Sequence, residues 1–321
     1  MKDRTLLERT LTLELARVTE AAAIAAYAQV GRGDEKAADQ AAVDAMRRAL
    51  NMLPIEGTVV IGEGERDEAP MLFIGEKVGT GNGPKVDIAL DPLEGTTLTA
   101  KAMPGALAVV AIAEGGSLLH APDTYMDKIA IGGGYPDGVV DLDADPRDNI
   151  LALAKAKGVK PNQIKACVLD RPRHADIISK VREVGAAVCL IPDGDIAGVI
   201  HCAEPATGID IYMGQGGAPE GVLAAAALRC IGGQIQGRLV FRNDDERQRA
   251  ARIGIKDLKK KYTMMDMASG DVMFAATGVT TGSMLTGITE VGNTITSETV
   301  VMRSLTGTVR WIKTRHQRAQ G

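Results

Sequence analysis

The chain has 321 residues, 45% of them apolar and 24% charged, with a formal net charge of −4. That length and balance suit a globular protein of two ordinary domains with enough apolar side chain for a sizeable core. The slight acidity, without a basic stripe interleaved with aromatics, excludes a general nucleic-acid grip, and no apolar run reaches about 18 residues, as a membrane-crossing helix would need.

Aromatics make up only 3%, so Ala, Val, Ile, Leu and Met must fill the core. Cys167, Cys189, Cys202 and Cys230 each sit in an apolar run without C-x-x-C or zinc-finger spacing, which reads as reduced core cysteine. The N-terminus carries acids where a signal peptide would be apolar. A cytoplasmic enzyme or binding protein is expected.

Residues 5–30 read as a long helix, with Leu7, Leu11, Leu15, Val18, Ala22 and Ala25 at spacings of three and four. Gly31-Arg32-Gly33 ends it, and Asp34 is placed to cap a second helix reaching about Leu53. Asp39 lies on that second helix. It is a solvated flank, or a ligand candidate if its face points inward. Thr58–Ile61 is a short buried strand, followed by the acidic turn Gly62-Glu63-Gly64-Glu65-Arg66-Asp67-Glu68. Such a run is ordinarily a hydrated loop, but glycines on both sides of Glu63 let the backbone approach a ligand.

Val86–Leu90 reads as a buried strand ending near Asp91, because Pro92 has no N–H for a ladder. Asp91-Pro92-Leu93-Glu94-Gly95-Thr96 then places two carboxylates beside backbone N–H groups. It is either an acidic turn or a segment that holds metal and phosphate side by side. Strands are expected at 106–113 and 128–131, and a helix at 147–157 stopped by Gly158. A boundary near 160 divides an N-terminal metal- and phosphate-binding half (1–160) from a C-terminal sugar-phosphate-binding half (161–321).

From 164 the texture alternates: strands at 164–169, 187–191 and 209–213, helices at 175–183, 196–202 and 219–231. This argues an α/β fold. Polar turns follow the strands at Asp170-Arg171-Pro172-Arg173-His174, Asp193-Gly194-Asp195 and Gly216–Glu220, where open α/β sheets bind ligands. Asp244–Lys261 reads as a charged helix, 271–280 and 294–311 as strands, and the basic tail 313–318 as frayed.

If Asp39, Glu63, Asp91, Glu94 and Glu220 converge, they cannot all stay ionised unaided. Two unit charges about 4 Å apart repel by roughly 4 kcal/mol at an effective dielectric near 20. Two or three Mg2+ or Mn2+ ions would relieve this and suit phosphate-ester cleavage. Thr96 and a nearby acid, Glu63 or Asp67, would steer the attacking water. Arg171 and Arg173 offer forked donors for a second phosphate. Asp193 and Asp195 suit sugar hydroxyls. No P-loop and no G-x-S-x-G elbow is present. His120, His174, His201 and His316 are too scattered for a His-ligated metal site.

Ordered motifs carry a resemblance over roughly residues 10–310. They are Gly31–Asp34 with Ala38-Asp39, Val60–Glu65, Asp91–Thr96, Ala121–Met126, Arg171–His174, Ile191–Asp195 and Gly217–Gly221. The chain resembles class II fructose-1,6-bisphosphatases of bacteria, within the lithium-sensitive, metal-dependent sugar and inositol phosphatases. The resemblance implies a layered α/β/α/β/α sandwich. It implies hydrolysis of the 1-phosphate of fructose 1,6-bisphosphate to fructose 6-phosphate and phosphate, a gluconeogenic step, by metal-activated water. Metal positions match Asp39, Glu63, Asp91, Glu94 and Glu220. Thr96 matches the residue that orients water. Substrate positions match Glu94, Gly95, Thr96, Thr97, Tyr125, Arg171, Arg173, Asp193, Asp195 and Gly217. The partners implied are a small sugar bisphosphate and further copies of the chain, as a dimer or tetramer.

One departure stands out: where family members often carry Lys four residues before the helix aspartate, this chain has Glu35, with Lys36 one position on, about 100° around the helix. The Asp170–His174 form is similar to the branch that also cleaves sedoheptulose 1,7-bisphosphate. The alternatives are an inositol-phosphate phosphatase, for which a distal arginine pair has no use, and a non-catalytic sugar-phosphate-binding protein, which does not need Thr96 and Glu63 together.

Overall fold

The computed structural model describes residues 11–64 and 71–317. In chain order the elements are α1 (Leu11–Tyr27), α2 (Glu35–Leu50), β1 (Glu56–Ile61), β2 (Lys77–Val78), β3 (Lys85–Glu94), α3 (Thr96–Ala100), β4 (Leu107–Glu114), β5 (Tyr125–Ile131) and α4 (Pro146–Lys157). They continue with β6 (Lys165–Leu169), α5 (Ala175–Glu183), β7 (Ala187–Ile191), α6 (Asp195–His201), β8 (Ile211–Gly217), α7 (Ala218–Ile231) and β9 (Gln234–Val240). The last are α8 (Asp244–Arg252), β10 (Tyr262–Thr263), α9 (Met264–Met267), β11 (Val272–Gly278), β12 (Thr289–Val291), β13 (Thr294–Arg303) and β14 (Thr308–Gln317).

These elements form two compact units. One holds the described residues up to Leu118 and from Gly270 onward, the other Leu119–Ser269. This division differs from the expected boundary at 160. Strands β11 and β13 return to complete the first sheet, and β5 with α4 belongs to the second unit. Pairing between strands distant in sequence sets the division, and local composition does not carry that signal.

In the first unit the sheet order is β12-β13-β11-β4-β3-β1-β2, with β14 on β13. Every residue of β4 from Leu107 to Ala113 is buried, which explains its uninterrupted apolar run. Helix α1 buries Leu11, Leu15, Val18, Ala22 and Ala26, and α2 buries Ala38, Ala42, Met46 and Leu50, in one core with β3, β4 and β11. The Asp34 carboxylate accepts from Ala37 N at 2.9 Å and starts α2 as expected. Gly31 N donates to Thr99 O and Gly33 N to Ala100 O, which docks the α1–α2 turn onto α3. A chain of buried hydroxyls, Thr19–Thr277–Thr299 with both steps at 2.7 Å, ties α1 to β11 and β13.

In the second unit the order is β10-β9-β5-β8-β6-β7. β6 runs parallel to β7 and β8, while β5 is antiparallel to β8 and β9. Helix α7 is buried nearly all round, and its Val222–Leu228 run shows why. The protein is a mixed α/β fold with two mixed sheets and flanking helices, as expected of an α/β sandwich. No helix among the described residues is long and apolar enough to cross a membrane.

Several boundaries differ from expectation. β3 continues past Pro92 to Glu94 through a register shift between Asp91 and Glu94. The shift takes up the missing proline donor. β8 runs on to Gly217, and α8 stops at Arg252 before Gly254, whose φ of 92° is left-handed. The stretch 294–311 is two strands, broken at Ser304–Gly307, and residues 313–317 pair with β13 where fraying was expected. α3 is too short to show a helical period, whereas β9, not among the expected strands, alternates along Gln234–Val240 with Ile235, Gly237 and Leu239 buried.

Leu15 is fully buried against this first core. Leu15→Ala should lower unfolding stability by about 2–5 kcal/mol, read as a shift of the urea midpoint with unchanged slope.

Candidate active site

β1 and β3 pair in parallel, with Ile61 opposite Ala89. Glu63 and Asp91 each lie two residues beyond those partners, so both stand at the carboxyl edge of neighbouring parallel strands. Gly62 permits the first turn: a Cβ there would fall 2.1 Å from Leu72 O, and the next amide, Glu63 N, donates to that same carbonyl. Asp91 Oδ1 accepts from Leu93 N at 3.1 Å and shapes the second turn. Gly95, at a φ of 89°, reverses the chain into α3, whose opening residues include Thr96 and Thr97. Thr97 Oγ1 donates to Glu35 Oε1 at 2.9 Å, so the carboxylate that departs from the family pattern sits against the phosphate-holding candidate, while Lys36 is exposed.

Asp39, on the α2 face beside buried Ala38 and Ala42, is half-buried. Burial raises its pKa, and burial followed by the Asp39 charge pushes Glu63 up to about 8. The first unit therefore brings Asp39 and Glu63 together. Asp67 lies outside the described residues.

The second unit gathers the other candidates. Glu220, in the first turn of α7, has its pKa raised to about 7 by burial and then by Asp195, with Lys128 opposing. Its Oε2 is buried and accepts no hydrogen bond. A Cβ on Gly217 would fall 1.8 Å from that oxygen, which is why glycine stands there. Asp193 Oδ1 accepts from Gly194 N at 3.1 Å. Asp195 is buried and ion-paired to Lys128.

Arg173 forks onto Gln215 O from Nε and Nη2, at 3.2 and 2.8 Å, and lies 5.0 Å from the Tyr125 ring centre. Arg171 donates to Asp170 O at 3.1 Å. Among the described residues neither arginine is ion-paired with a carboxylate, and the hydrogen bonds they make are to backbone carbonyls. His174 holds their turn in place. Its Nε2 accepts from Gln215 N at 2.8 Å, so Nδ1 carries the proton and donates to Leu169 O. Burial lowers its pKa, consistent with a neutral brace.

A family model described as bacterial fructose-1,6-bisphosphatase, glpX-encoded, matches residues 9–316. The chain is 45% identical over 323 residues to fructose-1,6-bisphosphatase 1 class 2 of Escherichia coli strain K12, spanning 97% of this chain and 96% of that one. Fructose-1,6-bisphosphatase class 2 from Escherichia coli O6:H1 and from Shigella flexneri match to the same extent. This chain belongs to the class 2 fructose-1,6-bisphosphatase family.

A bisphosphatase of this family implies divalent cations. Among the described residues, no three His, Cys, Asp or Glu side chains gather closely enough to hold a metal ion by themselves. The acids meet in pairs, Asp39 with Glu63 and Asp195 with Glu220. Like charges at 4 Å repel by about 4 kcal/mol, which keeps unneutralised carboxylates from crowding further. Desolvated, mutually repelling oxygen donors, one with no hydrogen-bond partner, fit a hard cation.

Sequence reasoning passed over Lys128 and Arg242. Lys128 was visible as a lone cation before the apolar run Ile129-Ala130-Ile131. Arg242, 4.9 Å from the Tyr125 ring centre and paired with buried Glu246, gave no local signal.

Burial and then the Asp39 charge push the Glu63 carboxyl from the ordinary value of 4.5 up to about 8 in the folded protein. A carboxyl group that is harder to ionise in the folded state withdraws stability as pH rises between those values. In chelator, the protein should lose on the order of 1 kcal/mol for each pH unit between about pH 5 and 8 from this group. Thermal melts of Glu63→Gln should show a flatter pH dependence, and parallel curves for the two proteins would contradict the assignment.

Proposed function

We propose that this chain hydrolyses the 1-phosphate of fructose 1,6-bisphosphate, giving fructose 6-phosphate and inorganic phosphate in gluconeogenesis. Near full-length identity to class 2 fructose-1,6-bisphosphatases carries this reading. Asp39, Glu63, Asp91, Glu94 and Glu220 are the residues that would hold two or three Mg2+ or Mn2+ ions. When bound, such ions acidify a water and stabilise the leaving oxygen.

The chain's own groups do the rest. Backbone N–H groups of Gly95, Thr96 and Thr97 hold the 1-phosphate, because the first amides of a helix lack an intrahelical acceptor. The Thr96 hydroxyl, with Glu63 or Asp67 accepting, orients the attacking water in line with the leaving oxygen. Tyr125, Arg171 and Arg173 hold the distal phosphate, supported by the lack, among the described residues, of a carboxylate partner for either arginine. Asp193, Asp195 and Gly217 position the sugar. That pocket also takes sedoheptulose 1,7-bisphosphate, which is one carbon longer. The unit up to Leu118 provides Asp39, Glu63, Asp91, Glu94 and the 1-phosphate-binding amides, and the unit 119–269 provides Glu220 with the groups for the sugar and distal phosphate. A dimer or tetramer acting in the cytoplasm completes the reading.

Phosphate release from fructose 1,6-bisphosphate should require Mg2+ or Mn2+ and stop in chelator. A protein that releases none with either metal is not this enzyme. Asp91→Asn should abolish turnover at saturating substrate; near-normal kcat would remove Asp91 from the metal set. Arg173→Ala should raise KM for the bisphosphate about 10- to 100-fold with little change in kcat, as expected when only a charged hydrogen bond to the distal phosphate is lost. A fall in kcat alone would place Arg173 elsewhere.

A further inference from the structure

Lys128 is 1% exposed on β5, and a lysine there needs a reason. Its ammonium donates to Asp195 Oδ2 and, at 2.8 Å, to the carbonyl of Gly217. The Tyr212 hydroxyl donates to the same Asp195 oxygen at 3.4 Å. Among the described residues no group donates to the other oxygen, Oδ1.

Two glycines make this arrangement possible. A Cβ on Gly216 would fall 1.9 Å from Asp195 Oδ2 and 3.1 Å from Lys128 Nζ. A Cβ on Gly217 would fall 1.8 Å from Glu220 Oε2. Carboxylates from α6 and α7 thus lie against consecutive glycines at the end of β8, with one ammonium reaching the same corner. A buried ion pair is a weak source of stability, since well-packed apolar side chains of similar volume serve as well. What an apolar residue cannot do is hold a carboxylate by one oxygen and a backbone carbonyl at the same time.

We propose that Lys128 is a positioning residue for sugar recognition: it locks Asp195 Oδ2 against the β8–α7 corner and so presents Oδ1 as an acceptor for a sugar hydroxyl. The proposal rests on the bisphosphatase reading and deepens it. Lys128 touches no reacting atom and acts through Asp195.

The test uses the full chain with Mg2+. Lys128→Met should raise KM for fructose 1,6-bisphosphate, and weaken fructose 6-phosphate binding by calorimetry, about 10- to 100-fold, the range for a lost hydrogen bond to a charged group. kcat should change far less, and inorganic phosphate should bind as in the parent. A merely structural role would lower the active fraction, and hence apparent kcat, while leaving KM alone. Asp195→Asn should reproduce the KM effect, and Lys128→Met/Asp195→Asn should be no worse than Asp195→Asn, because the two side chains form one unit. Unchanged KM and fructose 6-phosphate affinity in a folded Lys128→Met protein overturns the proposal. If circular dichroism shows that the single variant does not fold, the charge-free double variant carries the test, and a further tenfold loss beyond Asp195→Asn overturns it. A parent protein that binds fructose 6-phosphate without releasing phosphate from the bisphosphate would end the catalytic reading and leave the binding test of Lys128 standing.

Discussion

The parallel pairing of β1 with β3 is the constraint from which the first unit's chemistry follows. Parallel neighbours run toward the same edge, so Glu63 and Asp91, each two residues past the last β1–β3 pair, lie toward one edge without any local signal between them. Ile61 opposite Ala89 is the last pair before the segments that carry Glu63 and Asp91. The amides of Gly31 and Gly33 then hold the α1–α2 turn on α3, and α2 brings Asp39 close enough to raise the pKa of Glu63. A hydrated acidic loop would not show that shift. Burial is what turns a run of carboxylates into a candidate cation site.

The second unit solves a different electrostatic problem. It carries two arginines without carboxylate partners among the described residues, a buried Lys128–Asp195 pair, and a buried Glu220 oxygen that accepts no hydrogen bond. Arg171 and Arg173 donate to backbone carbonyls, and His174 ties their turn to β8 by accepting from Gln215 N and to β6 by donating to Leu169 O. Lys128 and Asp195 neutralise one another beneath the sheet's end. Gly216 and Gly217 serve through what they lack, since any side chain at either would displace a carboxylate.

The family resemblance covered nearly the whole chain, and the comparisons with class 2 bisphosphatases agree with it. Individual roles were less legible. Asp195 read as an acceptor suited to a sugar hydroxyl, and the structure adds that it is buried with one oxygen committed to Lys128 and Tyr212. Thr97 read as a backbone contact, yet its hydroxyl is taken by Glu35, 62 positions away. Local pattern says that a polar turn follows a strand. It does not say which oxygen of a carboxylate another element has already claimed.

The sequence by itself determined the apolar strands, the helix caps at Asp34 and Gly158, the glycine-flanked acids and the family to which the chain belongs. Each is written in neighbouring residues or in ordered motifs. Only the tertiary structure decided that residues 270–317 return to the first unit, that the basic tail pairs as β14 with β13, and that Lys128 is buried between Asp195 and Gly217. Those outcomes depend on strand pairings and ion pairs between segments tens to hundreds of residues apart, whose energies no short window of sequence contains.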